Sequence, residues 1–419
     1  MERRSFLGAA GAAAFTIVKP ELVRGTQRNS AVRIGLFGCG GRGTGVAESF
    51  LANTGAVFTA LGDLFEGQLA KAKDRLDTAA AKAGKPAIDR AQLFAGPDSL
   101  DRLLESKAID AVQISTPPYF HPEHLAKAVA SGKHVYCEKP VAVDVAGCLS
   151  VIESGKKAQG KLSLAIGFQL RHAPPYVQIR DRIRNGQIGD VICGLSNYYA
   201  GAIRRPEWPN ASPAERRLRN WIHDKVLSGD IFVEQNIHLV DLNNWLLGAR
   251  PLSAQGVCGR RGRRDQGDCS SHYNVTFTYP GDVHITVAST QFIEGTWDVG
   301  VRLFGTEGNA ELRYDAPVRI TGRRPWDAPG VGKPEKTEDT AAVAGAFKGA
   351  IEDADAEKEK HWIASITSGN FLNEAEQGAE STLSAILGRT AAYTGRVWTY
   401  EEVVRSGEKW DAGLDVRKL

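Results

Sequence analysis

Lys139, Glu234 and His238 are the side chains whose types and settings suit proton or hydride chemistry. Lys139 stands in Glu138-Lys139-Pro140, directly after the apolar run His134–Cys137. A cationic lysine at a strand end can steady a developing alkoxide, and a desolvated one can move a proton. Glu138 can hold that ammonium or touch a ribose; read alone, the tripeptide is a surface turn. Glu234 and His238 are four residues apart, so on a continuous helix they share a face with Asp241 and Trp245. A carboxylate and an imidazole on one face can bind a metal, cap a core or act as an acid–base pair, and histidine is the natural proton acceptor near neutral pH.

A second group could hold phosphate. Gly38-x-Gly40-x-x-Gly43 follows the apolar run Ala31–Phe37 and opens a helix-compatible segment. In that setting Gly38 permits the tight turn, Gly40 lets the backbone approach a pyrophosphate, Gly43 lets helix and strand pack closely, and the helix N-terminus faces the charge. Gly41 and Arg42 complete the loop. Asp63 comes 20 residues after Gly43, where its carboxylate can take both ribose hydroxyls and repel a 2′-phosphate. That favours NAD, while Arg42 leaves NADP open. Thr116 and Pro117 end another apolar run, Ala111–Ser115. His121 and His124 form H-x-x-H without an evident third ligand, so no metal site is expected; a loop or capping role fits them, with His121 free to face the cofactor.

The elements that must carry these residues alternate. Apolar runs at 31–37, 56–61, 111–115 and 134–137 read as strands, and the segments at 66–83, 122–131 and 144–159 read as helices. The pattern is a doubly wound parallel sheet over residues 31–160. After residue 160 it changes. A single long helix is expected over 229–247, followed by strands at hairpin-like spacing from 252 to 314. These make an α/β domain with a large, mostly antiparallel sheet over 161–419. Residues 324–358 read as an extended segment, and 361–369 and 375–393 as helices.

Composition limits what this architecture does. The chain has 419 residues, long enough for two domains, with 42% hydrophobic and 24% charged residues. The net charge of +3 lies wholly within the first thirty residues, so the body is neutral and no nucleic-acid partner is expected. Arg3-Arg4-Ser5-Phe6-Leu7 before the apolar stretch Phe6–Val18 resembles a twin-arginine export signal, so residues 1–30 are expected to direct export, with an uncleaved anchor as the alternative. A protein exported in the folded state would carry its cofactor with it. No C-x-x-C or zinc-type spacing occurs among the six cysteines; Cys258 and Cys269 flank a loop and are candidates to pair. Arg260-Arg261-Gly262-Arg263-Arg264 reads as a solvated loop.

The glycine loop, the segment Ala130-Ser131-Gly132-Lys133-His134-Val135-Tyr136-Cys137-Glu138-Lys139-Pro140 and the His238 segment together resemble the Gfo/Idh/MocA oxidoreductases over nearly the whole chain after residue 30. The resemblance implies a Rossmann domain, a C-terminal domain whose open sheet mediates a homodimer or homotetramer, Lys139 as the catalytic lysine and His238 as the histidine of the substrate helix. Glu234 falls where many members have Asp. The segment Gly167–Arg171 resembles the family's G-F-x-x-R strand end, which would bring Arg171 near the substrate. Tyr176, Trp221 and Asp241, with Tyr198, Tyr199 and Trp208, are candidates to line a sugar pocket. The implied reaction moves a hydride between tightly bound NAD or NADP and a sugar or cyclitol. Two alternatives stand beside it: a redox-assisted cleavage of a glycoside with self-recycled NAD, and a non-catalytic binding protein on the same fold.

Overall fold

The computed structural model describes residues 31–262, 267–292, 294, 297–315, 318–329, 331, 351 and 353–419. The export-signal reading, Arg263–Arg264 and most of the 324–358 segment lie outside the described residues.

The first sheet is parallel, with six strands in the order β3-β2-β1-β4-β5-β6: β1 Arg33–Phe37, β2 Val57–Asp63, β3 Leu93–Ala95, β4 Ala111–Ile114, β5 His134–Cys137 and β6 Leu164–Ile166. Its central strands are buried on both faces. That is why they read as continuous apolar runs rather than alternating ones. The order reverses beside β1, so the loops after β1 and β4 diverge and leave the crevice where such sheets bind ligands. Helix Gly41–Asn53 starts at that crevice.

The second sheet has nine strands in the order β14-β13-β12-β11-β7-β10-β9-β8-β15: β7 Val191–Tyr199, β8 Ser253–Gly259, β9 His272–Tyr279, β10 Val283–Thr290, β11 Asp298–Gly305, β12 Gly308–Arg313, β13 Arg319–Gly322, β14 Trp326–Asp327 and β15 Trp398–Thr399. Every pairing is antiparallel except β7 with β10. One face packs on helices. Phe277, Tyr273 and Tyr279 of β9 are buried, and at Gly388 of helix Ala375–Thr394 a Cβ would come within 2.5 Å of Phe232. The other face leaves Leu195 and Val257 46% and 59% exposed.

Two expectations about secondary structure are corrected. Helix Ala354–Ser368 begins seven residues before the expected start at 361 and reaches back to the first sheet. There Trp362 packs edge-on to Phe50 at 5.6 Å and beside Tyr136. The expected single helix over 229–247 is two helices, Asp230–Glu234 and Ile237–Leu247. Cys258 and Cys269, the candidates to pair, are both free thiols. Among the described residues no helix is long and apolar enough to cross a membrane.

Candidate active site

The glycine loop has the shape its spacing implies. Gly38 has φ +93°, and a Cβ there would lie 2.6 Å from the Ser115 carbonyl. A Cβ on Gly43 would lie 2.2 Å from the Gly38 oxygen, so only glycine lets the helix pack against the strand. Gly40 and Gly41 differ: a Cβ on either meets nothing within 4 Å. Gly40 caps the helix without a side chain, which leaves the first-turn N–H groups without a side-chain acceptor at the helix's positive end. Here a dinucleotide pyrophosphate fits.

Asp63 closes the same loop. Its Oδ2 accepts the Cys39 N–H at 2.7 Å and its Oδ1 the Phe65 N–H at 2.8 Å. Burial raises its pKa, opposed by those two N–H groups and by Arg219. Lone pairs remain for ribose hydroxyls. Arg219 stacks over Phe65 at 3.7 Å and Trp208 at 4.7 Å. Gly38, Gly40, Asp63, Thr116, Pro117, Trp208, Arg219 and Trp221 all face one cleft of about 810 Å³. Trp221 and Trp208 therefore line the same cleft as the glycine loop and Asp63. Sequence reasoning missed Arg219, which no motif marks.

It also missed the C-terminal wall. Leu414 and Val416 line the cleft. The segment is pinned where the Trp410 N–H meets Asp144 at 2.7 Å and the Ala412 N–H meets the Tyr119 hydroxyl at 3.2 Å. Ala412, Leu414 and Val416 pack with Leu64, Phe65 and Trp221.

Lys139 lies two residues beyond the end of β5, at the other side of the switch point. Its Nζ donates to the Glu234 carbonyl at 2.7 Å and to Glu234 Oε1 at 3.2 Å. The broken helix explains the first bond. In a continuous helix the Glu234 carbonyl would accept the His238 N–H. Here the Gln235 and Asn236 N–H groups both turn back to Ile231, the His238 N–H reaches Gln235 at 3.5 Å, and the Glu234 carbonyl is left to Lys139. The first helix is set from its start by Asp230, which sits at φ +67° with a fully buried carboxylate. That carboxylate accepts from the Ser270 N–H and hydroxyl and from the Tyr273 and Tyr393 hydroxyls. Arg389, fully buried, donates to the Val143 and Gly229 carbonyls and so ties the segment after Lys139 to the start of that helix.

His238 is 8% exposed, and its Nδ1 meets no hydrogen-bond partner among the described residues. Burial, then the charges of Lys139 and Arg42, hold its pKa well below the usual histidine value, so the imidazole is neutral and can accept a proton. Tyr198, also buried, stands close enough for Glu234 to perturb it electrostatically. Tyr199 is half-buried on the same strand.

Several expected roles are corrected. Arg42 does not await a 2′-phosphate: its guanidinium bonds Glu138 at 3.1 Å, Gln169 at 2.9 Å and Asp355 at 2.9 Å. Burial disfavours the Asp355 carboxylate, but Arg42 and Lys358 outweigh it and hold its pKa below the usual range. Glu138 holds Arg42 and the Tyr136 hydroxyl, not Lys139. His121 is 1% exposed and does not face the cofactor. Its two nitrogens lie 2.7 Å from the Pro140 and Thr116 carbonyls, bracing the two strand ends. Thr116 Oγ1 pairs with His124 Nδ1 at 2.9 Å. Arg171 and Asp241 are spent on each other at 2.7 Å, with Ser381 also donating to Asp241. Tyr176 is wholly buried in the core. A guanidinium committed to a carboxylate that is 1% exposed and a sealed phenol cannot line a substrate pocket. Asp355 and Lys358 were not foreseen at all.

Residues 32–166 match the GFO_IDH_MocA family, described as "Oxidoreductase family, NAD-binding Rossmann fold", and residues 176–311 match the "GFO/IDH/MocA C-terminal domain". Inositol 2-dehydrogenase of Acidothermus cellulolyticus is 28% identical over 299 residues, 70% of this chain and 78% of that protein. The NAD(+)-dependent scyllo-inositol 2-dehydrogenase of Bacillus subtilis is 33% identical over 159 residues, 37% of this chain and 40% of that one. The fold matches the crystal structure of Lactobacillus casei scyllo-inositol dehydrogenase with bound NAD(H) and scyllo-inositol, at a TM-score of 0.66 and 18% identity, over 88% of this chain and 99% of that one. A nucleotide-binding parallel sheet, an open antiparallel sheet and matches across both of them make the chain a member of the Gfo/Idh/MocA family of nicotinamide-dependent oxidoreductases.

Proposed function

We propose that this protein moves a hydride between a hydroxyl-bearing carbon of a cyclitol or sugar and a nicotinamide dinucleotide that it holds tightly. The observation that carries the reading is the convergence of Lys139, Glu234 and a neutral, buried His238 at the end of β5, in the same sheet edge as the open Gly40–Gly41 cradle. When bound, the dinucleotide supplies the hydride acceptor at its nicotinamide ring.

The chain's own residues do the rest. His238 takes the proton of the substrate hydroxyl. Lys139, anchored by Glu234, steadies the negative charge that grows on the oxygen as its carbon gives up the hydride. In the reverse direction His238 returns the proton. Arg42, fixed by Glu138 and Asp355, keeps the helix start and the Lys139 loop in register. Tight retention is supported by the C-terminal wall over the cleft, and fits export in a folded, loaded state through a twin-arginine route. The exposed Leu195 and Val257 on the open sheet face support a homo-oligomer, a dimer or a tetramer.

The test uses protein purified without added nucleotide. Denaturation followed by mass spectrometry identifies the released dinucleotide, and a panel of cyclitols and sugars is followed at the reduced-nicotinamide absorbance. NAD(H) or NADP(H) near one per chain, reduced on adding a polyol, is the expected result. Protein that neither carries nor binds either dinucleotide overturns the proposal.

A further inference from the structure

His172, His361 and Glu374 come from three separate elements and converge at one point. His172 ends the turn Gln169–His172, His361 lies on helix Ala354–Ser368, and Glu374 precedes helix Ala375–Thr394. One ligand atom from each lies within 4.8 Å of the others, and among the described residues no other trio of metal-ligating side chains does this. Glu374 is already oriented: its Oε2 accepts the Ile166 N–H at 2.8 Å, which leaves Oε1. The two imidazoles stand with ring centres 5.6 Å apart, tilted by 50°. Neither has a hydrogen bond to a protein group among the described residues. The nearby cations are each paired with a carboxylate, Arg171 with Asp241 and Lys358 with Asp355.

We propose that these three side chains bind one divalent cation of the zinc class. Two imidazoles and a carboxylate are a donor set that suits zinc and its transition-metal neighbours, whereas magnesium and calcium prefer oxygen ligands alone. Tetrahedral zinc with bonds of about 2.0–2.1 Å holds its ligand atoms roughly 3.3 Å apart. The trio must therefore close by up to about 1.5 Å. His361 can supply that movement, because it is exposed on its helix and free to change rotamer. Three protein ligands leave a fourth position for water. The cation would fasten helix Ala354–Ser368 to the turn Gln169–His172. Those two elements also supply Asp355 and Gln169, both of which hold Arg42. The site is thus a brace for the Arg42 network, and the inference stands independently of the proposed reaction.

The experiment uses the full chain after removal of metal with a chelator. Zn²⁺ alone is titrated by calorimetry, with Mg²⁺ as a control, and the one-to-one complex is examined by X-ray absorption. One equivalent of Zn²⁺ should bind, with a nitrogen and oxygen shell showing imidazole scattering and no sulfur. Changing exposed His361 to Ala leaves the folded circular dichroism intact and should weaken Zn²⁺ binding by at least about tenfold; His172→Ala should do the same. Binding that is absent, that is unchanged in both variants, or that shows sulfur in the shell, as it would at exposed Cys193, overturns the proposal.

Discussion

Replacing Lys139 with Met separates its structural role from its chemical one. The side chains of Lys139 and Glu234 are 13% and 12% exposed, and the ammonium satisfies both the Glu234 carboxylate and its carbonyl. Removing it leaves a mostly buried carboxylate unpaired, which costs about 3–5 kcal/mol where the charge cannot reach water. Lys139→Met/Glu234→Gln also removes the orphaned charge and should recover most of that loss. Activity should not recover, because the group facing the developing alkoxide is still missing, a loss of roughly 10²–10³-fold in kcat. The His238 pKa should move too. After burial, the Lys139 charge does most to hold it down, so removing that charge raises it. The acid limb of kcat/KM, expected well below pH 6.5 in the parent, should climb toward 6.5 in the variant. Urea unfolding of the nucleotide-free proteins and pH profiles of residual hydride transfer read the two effects separately. A single variant as stable as the parent, a double variant no more stable than the single one, or full activity without Lys139 would refute the reasoning.

Three further outcomes follow from the geometry. Gly40→Ala should fold as stably as the parent, since its Cβ meets nothing within 4 Å, yet bind dinucleotide poorly, whereas Gly43→Ala, 2.2 Å from the Gly38 oxygen, should lose both; calorimetric titration with NAD and urea midpoints distinguish them. Ending the chain after Trp410 keeps the Arg389–Glu408 pair and the Trp410–Asp144 bond but removes Ala412, Leu414 and Val416, and should speed release of bound dinucleotide at least about tenfold, read by its loss on gel filtration. The His124 pKa is pushed down to about 3 by burial, then by His121 and Lys127, so it takes up a proton on unfolding; its stabilising share is complete above pH 6.5 and falls away below it, by up to about 2 kcal/mol at pH 5, and His124→Asn should flatten that part of the urea-midpoint profile.

The parts of the site legible in the sequence are those whose function constrains the backbone. Gly38 and Gly43 are recognisable because no other residue fits beside Ser115 and the Gly38 carbonyl, and the parallel sheet because strands covered on both faces are apolar throughout. Asp63 is legible by distance alone, since a carboxylate at the end of β2 must meet the loop after β1. The residues read wrongly are those whose partner lies far along the chain. Arg171 and Asp241 could both be assigned to a substrate only while their pairing with each other, across seventy residues of chain, was unseen, and Arg42 to a 2′-phosphate only while Asp355 was.

The helix that supplies Asp355 shows why such partners stay hidden. Its segment Asp353-Ala-Asp355-Ala-Glu-Lys358-Glu359-Lys-His361 has no apolar stripe, because the face it buries is itself charged: Lys358 is 1% exposed and Glu359 is fully buried. Lys358 is matched by Asp355, and Glu359 takes the Ser49 hydroxyl at 2.7 Å. A periodicity argument counts apolar residues toward the core and polar ones toward water. It fails where ion pairs form the buried surface, as they do here around Asp355. The same logic accounts for the break at Gln235–Asn236. A continuous helix would have satisfied the local pattern, but it would have consumed the Glu234 carbonyl that Lys139 needs. Local sequence rules therefore describe the scaffold well and the site poorly, because the site is where long-range polar contacts override them.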